Sequence, residues 1–110
     1  MKIITLKENR DFQRIYRRGK SYASPVLVTY ITKNRENNLQ IGITTGKKIG
    51  CAVNRSRCRR IIRAAYTQIQ PQLKTGYNIV FVARSKTPHV KSTDVLQAMR
   101  QHFKQANILN

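Results

Sequence analysis

The sequence predicts an α/β (α+β) two-layer sandwich, with helices packed on a four-stranded sheet in the order α-β-β-β-α-β-α. Three observations carry this expectation. Apolar residues recur at helical spacing in three stretches, around Phe12, Cys58 and Met99. Runs of β-branched and aromatic residues with strand character lie between these stretches. No Gly/Ser linker, low-complexity tract or internal repeat interrupts the 110 residues, so one domain over 1–110 is expected. Such an alternation of elements buries its apolar faces by laying helices on a sheet.

The first helix is expected from Arg10 to Arg18, with Asn9 as its cap, Glu8 and Asp11 at its positive end and Gly19 as its stop. Phe12, Ile15 and Tyr16 share one stripe, and Arg10, Arg14, Arg17 and Arg18 fill the other face. Periodicity alone assigns Phe12 and Tyr16 to the core. After an extended piece at Lys20 to Ser24, Pro25 breaks the pattern and Val26 to Thr32 reads as a strand, with Val26, Val28 and Tyr30 on one side. Lys33 to Asn38 is a polar turn. Leu39 to Thr45 alternates cleanly and is expected to return as the second arm of an antiparallel hairpin.

The central helix is the strongest local signal. At 100° per residue, Cys58, Ile61, Ile62, Ala65, Tyr66 and Ile69 form a stripe about 140° wide. Ser56, Arg57, Arg59, Arg60 and Arg63 occupy the remaining arc, and Pro71 limits the helix. Within Tyr77 to Ala83, the run Ile79-Val80-Phe81-Val82-Ala83 lacks alternation, the mark of a strand covered on both faces. Ser92 or Thr93 then caps a last helix, with Asp94 in its first turn and Leu96, Met99, Phe103 and Ala106 inside.

Charge narrows the function. The chain has 22 Lys or Arg against four Asp or Glu, a net charge of +18. Glu8, Asp11, Glu36 and Asp94 are the only acids, each with a routine local role, and eleven cations between residues 37 and 93 have no carboxylate among them. A nuclease site made by this chain alone, with paired carboxylates around a metal ion or a histidine base, is therefore not expected. Phosphate-loop, GxSxG and Ser/His/Asp patterns are missing too. His89 and His102 form no ligand-like pattern with Cys51 and Cys58. If both thiols lie on one helix they are roughly 10 Å apart along it, beyond the span of a disulfide, so both are expected to be reduced, structural and buried. No apolar run suggests a membrane span or a secretion signal, which points to a cytoplasmic protein. Arg55, Arg57, Arg59, Arg60 and Arg63 crowd into nine residues without interleaved Glu, so they repel one another unless a polyanion compensates.

The stretch Lys47-Lys48-Ile49-Gly50-Cys51-Ala52-Val53-Asn54-Arg55-Ser56-Arg57-Cys58-Arg59-Arg60-Ile61-Ile62-Arg63 resembles the basic "RNR" signature of the bacterial ribonuclease P protein component. Asp11-Phe12-Gln13-Arg14-Ile15-Tyr16 with Gly19-Lys20-Ser21, the expected hairpin ending in Gly42, and the strand ending Val82-Ala83-Arg84 also fit, so the similarity covers nearly the whole chain. The resemblance implies a ribosomal protein S5 domain 2-like fold with a left-handed strand-helix-strand crossover, although such connections are right-handed in about 98% of cases. It also implies a subunit of an endoribonuclease whose RNA subunit hydrolyses precursor tRNA, with Mg²⁺ required by the RNA-catalysed reaction and no cofactor or metal bound by the protein alone. No residue of this chain would be catalytic.

Carried over by residue, Phe12, Tyr16, Val28 and Tyr30 would line a cleft for the single-stranded 5′ leader, with Arg59, Arg60 and Arg63 at its edge. Lys47, Lys48, Arg55, Ser56 and Arg57 would meet the catalytic RNA. The implied partners are that RNA and precursor tRNA, with no membrane and no DNA. The chain departs from the family at Cys51 and Ser56, where Asn is usual, and Ser56 lacks the amide's paired donor and acceptor. A ribosomal RNA-binding structural protein is the alternative. A DNA-binding module fits less well, because the arginine helix lacks the Asn/Gln mixture suited to reading bases and no short-turn helix precedes it.

Overall fold

A computed structural model describes residues 4–5, 9–46 and 49–109. Its elements are β1 (Ile4–Thr5), α1 (Asn9–Arg18), β2 (Lys20–Ala23), β3 (Leu27–Lys33), β4 (Leu39–Thr44), α2 (Ala52–Ile69), β5 (Tyr77–Ala83) and α3 (Ser92–Gln105). The four longer strands and three helices are those expected. The two-residue β1 adds an edge to the sheet, whose order is β1-β4-β5-β3-β2.

The expected hairpin of β3 with β4 does not form. β5 lies between them, antiparallel to β3 and parallel to β4, so α2 is the helix of a crossover from β4 to β5. Alternation along a strand specifies its faces but not its neighbour. The connection explains the gap: Asn34 N–H donates to Gly76 O (2.9 Å), Gly76 and Tyr77 N–H donate to Asn38 O, and Asn34 Nδ2 donates to Asn78 Oδ1 (2.8 Å). The polar turn therefore arches over the start of β5 and is held by it.

β5 is central and covered on both faces. Ile79 and Phe81 enter the main core with Leu27 and Ile31 of β3, Leu39 and Ile41 of β4, the Cys58, Ile62, Ala65, Tyr66 and Ile69 stripe of α2, and Val95, Met99 and Phe103 of α3. Tyr66 and Phe103 meet Phe81 edge-on, with centroids 5.7 and 6.1 Å away. Each such pair contributes about 0.5–1.5 kcal/mol beyond its buried area. On the opposite face Val80 packs against Ile15 of α1, with Phe12, Tyr30 and Val82 partly buried around them. Thus α2 and α3 form the helical layer, and α1 covers part of the other side.

Several local expectations shift. α1 starts at Asn9, one residue earlier than expected; Glu8 lies outside the described residues. Gly19 closes α1 through its N–H to Ile15 O (2.8 Å), and a Cβ there would stand 2.6 Å from that same oxygen and 2.9 Å from Ile31 O. The α1–β2 turn therefore presses so closely on β3 that only glycine fits. For α3 the cap is Lys91, not Ser92 or Thr93; the Asp94 carboxylate accepts the Lys91 N–H at 3.1 Å. Both cysteines are free, but Cys51 is exposed at the N-cap of α2 and only Cys58 is buried.

His102 is also buried, at 2% exposure, where its Nδ1 shares a 2.8 Å hydrogen bond with Thr29 Oγ1 and its ring stacks on Tyr22. Burial holds its pKa below the ordinary histidine value. The unfolded chain therefore takes up a proton that the folded chain refuses, and stability falls as pH drops from about 6.5 through the folded-state value. The melting temperature should decline between pH 7 and 5. In the paired variant Thr29→Val with His102→Leu, which leaves neither partner orphaned, that decline should flatten; parallel profiles would remove His102 as its source.

Candidate nucleic-acid interface

Strand register lays out a strip of sheet beside α1. Ser21, Tyr30, Val80 and Gly42 lie side by side on β2, β3, β5 and β4, and the next row is Ala23, Val28, Val82 and Thr44. Side chains alternate along strands, so these rows share the face opposite the main core. Ten-residue α1 is too short to cover it. Ile15 is its anchor at 1% exposure, Phe12 is half-buried, and Tyr16 remains 39% exposed. Of the three residues on the predicted stripe, only Ile15 is fully core.

The rings have specific supports. Tyr16 meets Tyr30 edge-on with centroids 4.8 Å apart, and its hydroxyl donates to Thr44 Oγ1 at 3.5 Å. A Cβ on Gly42 would lie 2.7 Å from Phe12 Cζ, so the missing side chain gives that ring its place. The structure therefore brings Phe12, Tyr16, Val28 and Tyr30 to one face. Val82, Thr44 and Gly42 belong to the same surface and were not among the expected site residues; the parity of β4 and the uninterrupted apolar run of β5 were the available signals.

Arg59 connects this strip to α2, its Nη2 donating to Thr45 Oγ1 at 3.1 Å just past the end of β4. At 100° per residue Arg59 and Arg63 lie about 40° apart on one flank, Arg60 projects between the flanks, and Arg57 is about 160° around from Arg59. All four are exposed. Ser56 lies nearer Arg60 than Arg57, and with Ala52, Val53 and Arg60 it lines a shallow depression where Val53 is 69% exposed. Arg55 is half-buried beside the core-facing arc, so it presents less charge outward than its neighbours. Lys47 and Lys48 lie outside the described residues.

The first turn of α2 has no acidic residue, so its positive end adds to the arginines rather than being neutralised. Hydrogen bonding from the Asn54 backbone, helped by the nearby Arg55 charge, holds the exposed Cys51 thiol below its ordinary pKa. The described carboxylates lie on three separate parts of the fold. Asp11 is on α1, Glu36 accepts Gln40 Nε2 in the β3–β4 connection, and Asp94 caps α3. The arrangement suits holding a strand of phosphates beside exposed rings, the usual way proteins grip single-stranded RNA.

Comparison with known proteins agrees with this chemistry. Residues 1–107 match the ribonuclease P family. The chain is 38% identical over 111 residues to the ribonuclease P protein component of Clostridium botulinum (strain Loch Maree / Type A3), covering 100% of both chains. It is 38% identical over 104 residues to that of Clostridioides difficile (strain 630), covering 94% of this chain and 91% of the relative. The Staphylococcus aureus RNase P protein structure superposes with a TM-score of 0.84 at 30% identity, covering 99% of this chain and 100% of that one. The Thermotoga maritima RNase P protein gives 0.81 at 26% identity, covering 92% and 96%. On fold, sequence and surface together, the chain belongs to the ribonuclease P protein component family.

Proposed function

We propose that this chain binds the single-stranded 5′ leader of precursor tRNA on the strip between α1 and the sheet, and the catalytic RNA on the arginine face of α2. A ribonuclease P protein component is a subunit of a tRNA-processing ribonuclease and works with an RNA partner. The finer reading assigns phosphodiester hydrolysis to the RNA, with the protein positioning the substrate in the cytoplasm and binding neither DNA nor membrane. The observation that carries it is the exposed Tyr16 edge-on to Tyr30, with Arg59 tied to the rim through Thr45.

The chemistry of this division follows from the side chains. Bases unstacked from a single strand can lie on the Tyr16 and Tyr30 rings, each contributing roughly 1–3 kcal/mol, while Arg59, Arg60 and Arg63 meet phosphates along the rim. Mature tRNA has no leader and makes none of these contacts. Mg²⁺ belongs to the RNA-catalysed reaction in this reading: the described carboxylates, each on its own element, form no shared donor set.

Tyr16→Ala should weaken holoenzyme binding of leader-bearing tRNA by about 1–3 kcal/mol while leaving mature tRNA nearly unchanged, measured by equilibrium binding of both substrates. Phe12→Ala added to it should deepen the same selective loss. Equal weakening for both substrates would return these rings to a purely packing role. Arg57→Ala should instead weaken assembly with the catalytic RNA and reduce the salt slope by about one. An unchanged slope would take this arginine off the phosphate interface.

A further inference from the structure

A cavity on the described surface lies on the other face of the sheet, away from the proposed leader strip. It encloses about 580 Å³ where the ends of β3 and α3 meet the edge strand β2. Arg18 and Lys20 reach it from the α1–β2 turn and Lys33 from the end of β3; Tyr22 and Tyr77 form ring walls, and Asn107 borders it after α3. No carboxylate lines it, and it shares no lining residue with Phe12, Tyr16, Val28 or Tyr30. Tyr22 pairs with Thr29, and Tyr77 precedes Ile79 by two, so both rings belong to the face of the main core.

The energetics favour an anionic, ring-bearing occupant. Arg18, Lys20 and Lys33 are exposed, and three like charges around one hollow cost free energy unless something neutralises them. The C-terminal end of α3 opposes an anion with only about half a charge, against three full cations. A volume of this size falls in the range of small-ligand sites, and half-buried tyrosines beside cations suit stacked bases with flanking phosphates. Arg18 also borders a neighbouring depression with Arg14 and Arg17, which extends the positive surface along the outer side of α1.

We propose that this groove is a second single-stranded RNA site, taking one or two nucleotides with bases on Tyr22 and Tyr77 and phosphates on Arg18, Lys20 and Lys33. The proposal rests on the reading of the chain as an RNA-binding subunit and adds a contact on the side of the molecule opposite the leader strip. Two RNA segments, or two parts of one, could then be held on opposite faces of the sheet.

The test is an NMR titration of the full chain with a single-stranded RNA tetranucleotide, monitoring all five tyrosine rings, in the parent and in Arg18→Gln/Lys20→Gln/Lys33→Gln. None of these three side chains makes a hydrogen bond or ion pair among the described residues, so the variant should fold, which its amide spectrum checks. Tyr22 and Tyr77 should shift in the parent and in Tyr16→Ala. The triple variant should lose those shifts, with at least a tenfold weaker affinity at this site and a salt slope lower by about two, while Tyr30 continues to respond. Shifts at Tyr16 and Tyr30 alone would overturn the groove and leave the leader strip standing; no shift at any ring would overturn both. Equal binding of a glutamate tetrapeptide in the groove would show charge attraction without nucleotide recognition, and would also overturn it.

Discussion

The packing of β5 on two faces is the constraint from which the rest of the structure follows. Ile79 and Phe81 are fully buried under α2 and α3, and Val80 is fully buried under Ile15 of α1. A strand so enclosed must be central, which separates β3 from β4 and demands a helical crossover. The same enclosure brings α1 to the second face. A helix of ten residues anchored by one isoleucine cannot seal a sheet several strands wide, so Val28, Tyr30, Val82 and Thr44 remain accessible beside it. The strip of rings beside α1 is the part of a two-sided sheet that its second cover does not reach.

Charge placement depends on the same packing. The apolar stripe of α2 is seated in the main core, which sets the azimuth of every arginine on the helix and leaves Arg57, Arg59, Arg60 and Arg63 in solvent. Four acids cannot neutralise 22 cations, and those described are spent on local structure. The isolated protein carries this repulsion as a cost, and phosphate binding relieves it. The hydrogen bond from Arg59 to Thr45 and that from Tyr16 to Thr44 meet at the end of β4, so the basic helix and the aromatic strip are joined at one corner of the sheet.

Much of this was legible in the residues. The period of α2 gives its buried stripe apart from Ile61, which is only half-buried, and the unbroken apolar run from Ile79 to Ala83 reports a strand with two covered faces. Pairing was not legible: Leu39 to Thr45 has the alternation of a hairpin arm, but its partner was decided by β5, nearly forty residues later, through Asn34, Asn38 and Asn78. Nor did helical spacing separate Ile15, fully buried, from Tyr16 one residue on, because the extent of cover depends on where α1 crosses the sheet. His102 looked unremarkable in sequence because its partner Thr29 is 73 residues away. Cys51 was expected inside, yet it stands exposed at the N-cap position of α2. The leader and RNA-subunit assignments came from family resemblance and not from periodicity or composition.

The central claim is that the uncovered strip beside α1, rather than the outer face of that helix, receives the leader. Photo-crosslinking of the assembled holoenzyme with precursor tRNA carrying a zero-length crosslinker in its leader tests this most directly. The account predicts adducts at Tyr16, Tyr30 and Val82, and none when the leader is removed. Adducts confined to Gln13, Arg14 or Arg17 on the outer side of α1 would contradict it.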